Sequence, residues 1–169
     1  AEIVEICEAF GITVIEDTAE SLGSYVGDRH TGAFGELATL SFNGNKVITT
    51  GGGGMILTDN DELAKKAFHL TTTAKVPHPY EFVHDEVGYN YRLPNLNAAL
   101  GCAQMENLNA MLYIKADIAA NYRAFCLKHG FQFVNGIENT RPNYWLNAII
   151  LNSITERNAF LNYLNEQQV

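Results

Sequence analysis

The sequence predicts an α/β protein, and three stretches carry that expectation. Residues 2 to 10 space Ile3, Ile6, Cys7 and Phe10 along one helix face, Gly11 closes the helix, and the mostly β-branched ITVIED follows as a strand. The short apolar run Ala38 to Phe42 reads as a buried strand that breaks into loop residues where Lys46 arrives. From Asn95, apolar residues at helical spacing (Leu96, Ala99, Leu100, Ala103, Leu108, Met111, Leu112, Ile118, Tyr122, Phe125) predict a long helix towards Lys128, bent near residues 107 to 109. Helices of that length often bridge two domains, so we expect a partial large domain over 1–117 and a truncated small one over 118–169.

The remaining elements follow in order. SYVGDRHTG, LATLSF and MILTD read as short strands or hairpin pieces separated by glycine-rich turns. DNDELAKKAFHL is the next helix, with Asp59 and Glu62 spaced like a capping box and Leu63, Ala64, Ala67 and Phe68 on one face. Residues 71 to 94 hold three of the four prolines and show no steady period, which predicts a long, ordered and functional loop. Beyond Gly130 come FQFV and YWLNAIIL as strands, then the amphipathic TERNAFLNYLNEQQV without a closing cap. No internal repeat or low-complexity segment is present.

Composition narrows the function. The 169 residues are 47% hydrophobic, which is globular, and eleven Lys and Arg against nineteen Asp and Glu give a formal charge of -8. No basic run interrupts that excess, so nucleic acid and anionic membrane are poor partners. No stretch of eighteen apolar residues occurs, and the N-terminal AEIVEICEAFG carries acids where a signal peptide carries bases. A soluble, cytoplasmic protein is expected. Cys7, Cys102 and Cys126 are widely separated in apolar helical contexts and read as reduced core thiols.

Two positions invite chemistry, each with a plain alternative. Lys46 is an exposed loop lysine or an amine nucleophile beside glycines 51 to 54, which form a tight turn or admit a bulky flat ligand. Asp17 ends an apolar strand, where α/β sheets present residues to ligands. It caps a following helix or holds the protonated nitrogen of a pyridine ring, the role an Asp has in pyridoxal phosphate enzymes. The glycine run has neither the GxGxxG order nor a GK[ST] ending, so dinucleotide and P-loop sites are not supported. His78, Glu81, His84, Asp85 and Glu86 cluster, but at no zinc-motif spacing, and no metal is expected.

Taken together, VIEDTAES, GAFGELATLSFNGNKVITTGGGGMILTD and GYNYRLPNLNAALGCAQ resemble the DegT/DnrJ/EryC1/StrS family of sugar-nucleotide aminotransferases, which are fold type I (aspartate aminotransferase-like) pyridoxal phosphate enzymes. The resemblance is strong over residues 1 to 128 and weaker beyond. TTTAKVPHPYEFVHDEVGYNYRLPN looks most like the branch that aminates C4 of keto-deoxy sugars for surface glycans, including legionaminic-acid-type pathways.

The resemblance implies that Lys46 forms the Schiff base with pyridoxal 5'-phosphate and shuttles protons, that Asp17 keeps the pyridine nitrogen protonated, and that Ser41 hydrogen-bonds the cofactor phosphate. Glu20 stands where many members carry Gln against the ring's phenolic oxygen; a carboxylate there repels a phenolate unless protonated or bridged by water. Asn90 matches an asparagine that reaches the phosphate of the other subunit, which implies a homodimer with shared active sites. Arg92 and Tyr91 are candidate substrate contacts; Arg92 and Lys75 are candidates to meet nucleotide phosphates. Tyr89 and Tyr91 are otherwise packing aromatics, and Asn90 a turn residue. The implied partners are a nucleotide-linked keto-sugar and an amino-acid donor, by resemblance glutamate. Alternatives are a sugar dehydratase, against which Lys46 argues because those members carry histidine there, a non-catalytic nucleotide-sugar binder, and a plain structural domain.

Overall fold

The computed structural model describes residues 2–169. The first helix, α1 (Glu2–Ala9), ends as expected at Gly11, whose φ of 66° suits a residue without a Cβ. It leads to β1 (Ile15–Asp17), which is shorter than ITVIED: residues 12 to 14 lie outside the strand. A hairpin of β2 (Tyr25–Val26) and β3 (Arg29–His30) follows, then the half-buried β4 (Leu37–Ser41) and β5 (Gly54–Leu57).

The main sheet has the order β1-β4-β5. β4 runs parallel to β1, with Asp17 beside Thr39, and antiparallel to β5, with Ser41 beside Gly54. Thr18 staples the end of the parallel pair, its buried hydroxyl donating 2.7 Å to the Thr39 carbonyl. A Cβ on Gly54 would overlap the Leu40 carbonyl oxygen, so glycine there permits close pairing of β4 and β5.

The next helix, α2 (Asp61–Thr71), corrects the expected cap. Asn60, not Asp59, is the N-cap, its side chain accepting from the Glu62 and Leu63 amides at 3.0 and 3.2 Å. Residues 72 to 94 form a loop tied by isolated bridges, Thr72 to Asn90 and Lys75 to His84. The predicted long helix is two: α3 (Asn95–Glu106) and α4 (Leu108–His129), broken at Asn107, where the bend was expected. Gly130, left-handed at φ 75°, closes α4.

Beyond it, β6 (Gln132–Phe133) pairs antiparallel with β8 (Ile149–Ile150), so only the end of YWLNAIIL is strand. The unanticipated β7 (Thr140–Arg141) instead adds to β2 in the sheet of order β3-β2-β7. The last helix, α5 (Ile154–Glu166), starts at the cap Ser153.

Two apolar cores result. Leu40, Phe42 and Ile48 pack with Leu22, Leu57, Leu108 and Met111; Ala119, Cys126 and Phe133 pack with Tyr144 and Ile149. α4 enters both, its first turn in one and its last in the other. Of the three thiols, Cys126 is buried and Cys7 half-buried, whereas Cys102 is exposed and is not the core residue its helical context predicted.

Candidate active site

The lysine at the centre of the sequence argument sits in a turn between β4 and β5, and its neighbours fix it there. Val47 and Ile48 are buried, Ile48 within the first core. From α3, Gln104 accepts the Thr49 amide at 2.7 Å and Asn97 donates to the Thr50 carbonyl. A loop anchored on both its apolar and polar sides holds its side chain in one place.

The Lys46 side chain is only 13% exposed, which removes the surface-lysine alternative. Its Nζ lies 3.4 Å from Glu20 Oε1 and 4.1 Å from the centre of the Trp145 ring. The recess around it is lined by Ala19, Glu20, Leu22, Ser41, Val47, Ile48 and Trp145. Three predicted residues, Lys46, Glu20 and Ser41, therefore meet. Glu20, which the resemblance sets near the ring, lies beside the Lys46 amine in this chain. Glu20 itself is mostly exposed, so the pair is weak as a stabilising contact.

Asp17 closes β1 on the strand next to the one Ser41 closes. Its Oδ1 accepts the Ala19 amide at 3.1 Å, and turns rather than a helix follow, so the helix-capping alternative is set aside. Ser41 Oγ accepts the Asn43 amide at 3.4 Å, which leaves its O–H free to donate. Asp17 and Ser41 thus stand at the carboxyl ends of adjacent parallel strands, where α/β sheets bind ligands; Ser41 shares its recess with the shielded Lys46 amine, whereas Asp17 is not among the residues that line it. This donor set fits a pyridine ring carrying an aldehyde and a phosphate: an anion for the ring N–H, a donor for the phosphate, an amine for the carbonyl.

Glycines 51 to 54 do not border that recess. They line a separate cleft of about 940 Å3 with Phe68, Tyr91, Arg92, Leu93 and Asn97, so Tyr91 and Arg92 stand away from Lys46 within one chain. Asn90 is exposed and bridged to Thr72, and the rings of its chain neighbours Tyr89 and Tyr91 stack on each other with centres 5.2 Å apart. Lys75 lies over the Phe82 ring at 3.8 Å.

Among the described residues, the imidazole and carboxylates close enough to hold a metal are His69, Asp85 and Glu86, not the His78 and His84 pair. They are already satisfied internally. His69 Nε2 is 2.7 Å from Asp85 Oδ1, and Glu86 takes the Lys66 ammonium. The hydrogen bond from His69 holds the Asp85 carboxyl below its usual range.

Sequence reasoning missed Asn143 and Trp145. Asn143 is buried and its amide donates to the carbonyls of Glu20 and Leu22 at 2.8 and 3.0 Å. Trp145 donates its indole N–H to the carbonyl of Asn45, the residue before Lys46. The indole in YWLNAIIL read only as a strand aromatic, because no local pattern reports a contact across 100 positions.

Comparison with known proteins identifies the family. The model of the DegT/DnrJ/EryC1/StrS aminotransferase family matches residues 1–169. GDP-perosamine synthase of Vibrio cholerae is 36% identical over 167 residues, 98% of this chain and 45% of that protein. Among solved structures, the Helicobacter pylori aminotransferase PseC, involved in the biosynthesis of pseudoaminic acid, superposes with a TM-score of 0.92 at 21% identity, over 98% of this chain and 46% of that one. Spr1654 from Streptococcus pneumoniae, solved in a PLP form, gives 0.83 at 22% identity over 96% and 44%. The chain thus spans less than half the length of these relatives and shares the fold of that part of them. It belongs to the DegT/DnrJ/EryC1/StrS aminotransferase family.

Proposed function

We propose that this chain carries the lysine-bearing part of a pyridoxal phosphate-dependent aminotransferase active site, one that moves an amino group from an amino-acid donor, glutamate, to the ketone of a nucleotide-linked sugar for surface glycan synthesis. The observation that carries this reading is the shielded Lys46 amine beside Ser41 and Glu20, at the strand end where Asp17 also stands. When bound, pyridoxal phosphate supplies an electron-accepting ring that stabilises negative charge at the carbon that loses its proton.

The chain's own residues do the rest. Asp17 accepts the ring N–H and keeps that nitrogen protonated, and Ser41 donates its hydroxyl to the phosphate. Lys46, once its amine is released, takes the proton from the donor carbon and returns it on the far side of the transfer. Glu20 receives the ammonium that results, at the 3.4 Å separation already present. Val47, Ile48 and Leu22 exclude water around that amine.

A second copy of the chain completes the site in this reading. Asn90 reaches the phosphate of its partner, and Arg92, Tyr91 and Lys75 meet the sugar nucleotide. Exposed aromatics and aliphatics in the same loop support it: Tyr80, Phe82, Val87 and Tyr91 are each more than 70% exposed in the single chain. No described helix is long and apolar enough to cross a membrane, and we place the enzyme in the cytoplasm with its nucleotide-sugar substrate.

Borohydride reduction of the full-length protein with pyridoxal phosphate, followed by peptide mapping, tests the reading. A phosphopyridoxyl label on Lys46 that is absent from Lys46→Ala is the expected result. An unlabelled Lys46, or label scattered over surface lysines, would remove the aminotransferase assignment.

A further inference from the structure

Three observations converge on residues 143 to 145. The face of Trp145 covers the Lys46 ammonium at 4.1 Å, and its indole N–H holds the carbonyl of Asn45. Asn143 grips the Glu20 and Leu22 carbonyls with its amide, takes the Trp145 backbone N–H on its own Oδ1 at 2.9 Å, and donates its backbone N–H to Ser24 Oγ at 3.0 Å. Between them Tyr144 adopts φ 49°, a left-handed backbone that a residue with a Cβ rarely takes and that persists where its surroundings impose it. Its hydroxyl is pinned by Arg123 of α4 at 3.0 Å.

A strained residue flanked by two contacts to the loops on either side of Lys46 is a built device. We infer that Trp145 is a positioning residue for Lys46: its ring face parks the lysine amine whenever that amine is free, while Asn143 sets the loop that carries Glu20. An indole face attracts an ammonium through its quadrupole and, unlike Glu20, displaces water from it. The amine is thereby held on one side by charge and on the other by an aromatic surface. The segment beyond α4 is then part of the active site rather than a neighbour of it. This inference rests on the aminotransferase reading for its purpose, but its geometry stands on the chain alone.

Trace acetylation of lysines in the full-length protein, freed of cofactor by dialysis against hydroxylamine, tests it by mass spectrometry. Lys65, whose side chain is 71% exposed, serves as internal reference. Trp145→Phe keeps a face and loses the N–H; Trp145→Gln keeps a donor and loses the face. The expected result is a Lys46 reactivity within about twofold of the unmutated protein for Phe, and about fivefold higher for Gln with Lys65 unchanged and the thermal midpoint held. No rise at Lys46 in the Gln variant, or a rise at all lysines with a fallen midpoint, overturns the inference. If Lys46 in the unmutated protein takes no phosphopyridoxyl label, the proposed function fails while the acetylation result still decides the role of Trp145.

Discussion

Along β1 successive side chains leave opposite faces of the strand, so Glu16 and Asp17 meet different surroundings although they are adjacent. The Glu16 carboxylate accepts the amides of Gly32, Phe34 and Gly35 at 2.9, 2.6 and 2.7 Å and so closes the loop between β3 and β4. Burial by itself would raise this carboxyl, but the N–H groups of Gly35, Gly32 and Phe34, with the Arg29 charge, outweigh it and hold the group below its usual range. A depressed folded-state value means that its stabilisation is present above the unfolded value, near 4.5, and is lost as pH falls through the lower, folded one. Glu16→Gln should therefore cost about 1–3 kcal/mol near neutral pH, with the gap to the unmutated protein closing as pH falls from about 6 to about 3; urea midpoints across that range check it. In the sequence, VIED shows two acids at a strand end. Which of them closes a neighbouring loop follows from alternation only once the strand's faces are known.

At the scale of elements, caps and breaks decide what periodicity leaves open. Asp59 and Asn60 both precede α2 and both are good capping residues, so spacing to Glu62 favoured the wrong one. The backbone turns at Asn60, with φ -94° and ψ 110°, and that side chain alone is placed to accept two amides. Asn60→Ala should destabilise α2 by about 1 kcal/mol while Asp59→Ala leaves it nearly unchanged, read from thermal midpoints of the paired variants. Phe68, read onto one helix face with Leu63, Ala64 and Ala67, is 69% exposed and lines the large cleft bounded by α2, β5 and residues 91 to 94. The break between α3 and α4 at Asn107 was legible, since apolar positions there slip out of register, whereas β7 was not: a two-residue strand has no period to detect.

For the whole molecule, apolar surface locates what the chain contacts. Both strands at the edges of the β1-β4-β5 sheet expose aliphatics, Ile15 at 64% and Met55 at 49%, and Ile3 and Ile6 of α1 and Phe10 just after it are exposed. Relatives more than twice as long supply further chain around this part of the fold. On the proposed function, the 169-residue chain alone should turn over a keto-sugar nucleotide at least about a hundredfold more slowly than the full-length protein, because Lys46 without a complete cradle loses the orientation that catalysis needs. Comparable rates in a coupled glutamate assay would refute this. What the sequence by itself determined is the local chemistry: the helices and strands other than β7, and the motifs holding Asp17, Ser41 and Lys46, all set by contiguous residues whose spacing encodes backbone period and strand ends. Only the tertiary structure decided that Glu20 faces the lysine, that Tyr91 and Arg92 lie in another cleft, and that Asn143 and Trp145 close the recess. Those contacts join residues 26 to 123 positions apart or separate near neighbours onto different faces, and no local pattern of polarity records how a chain closes upon itself.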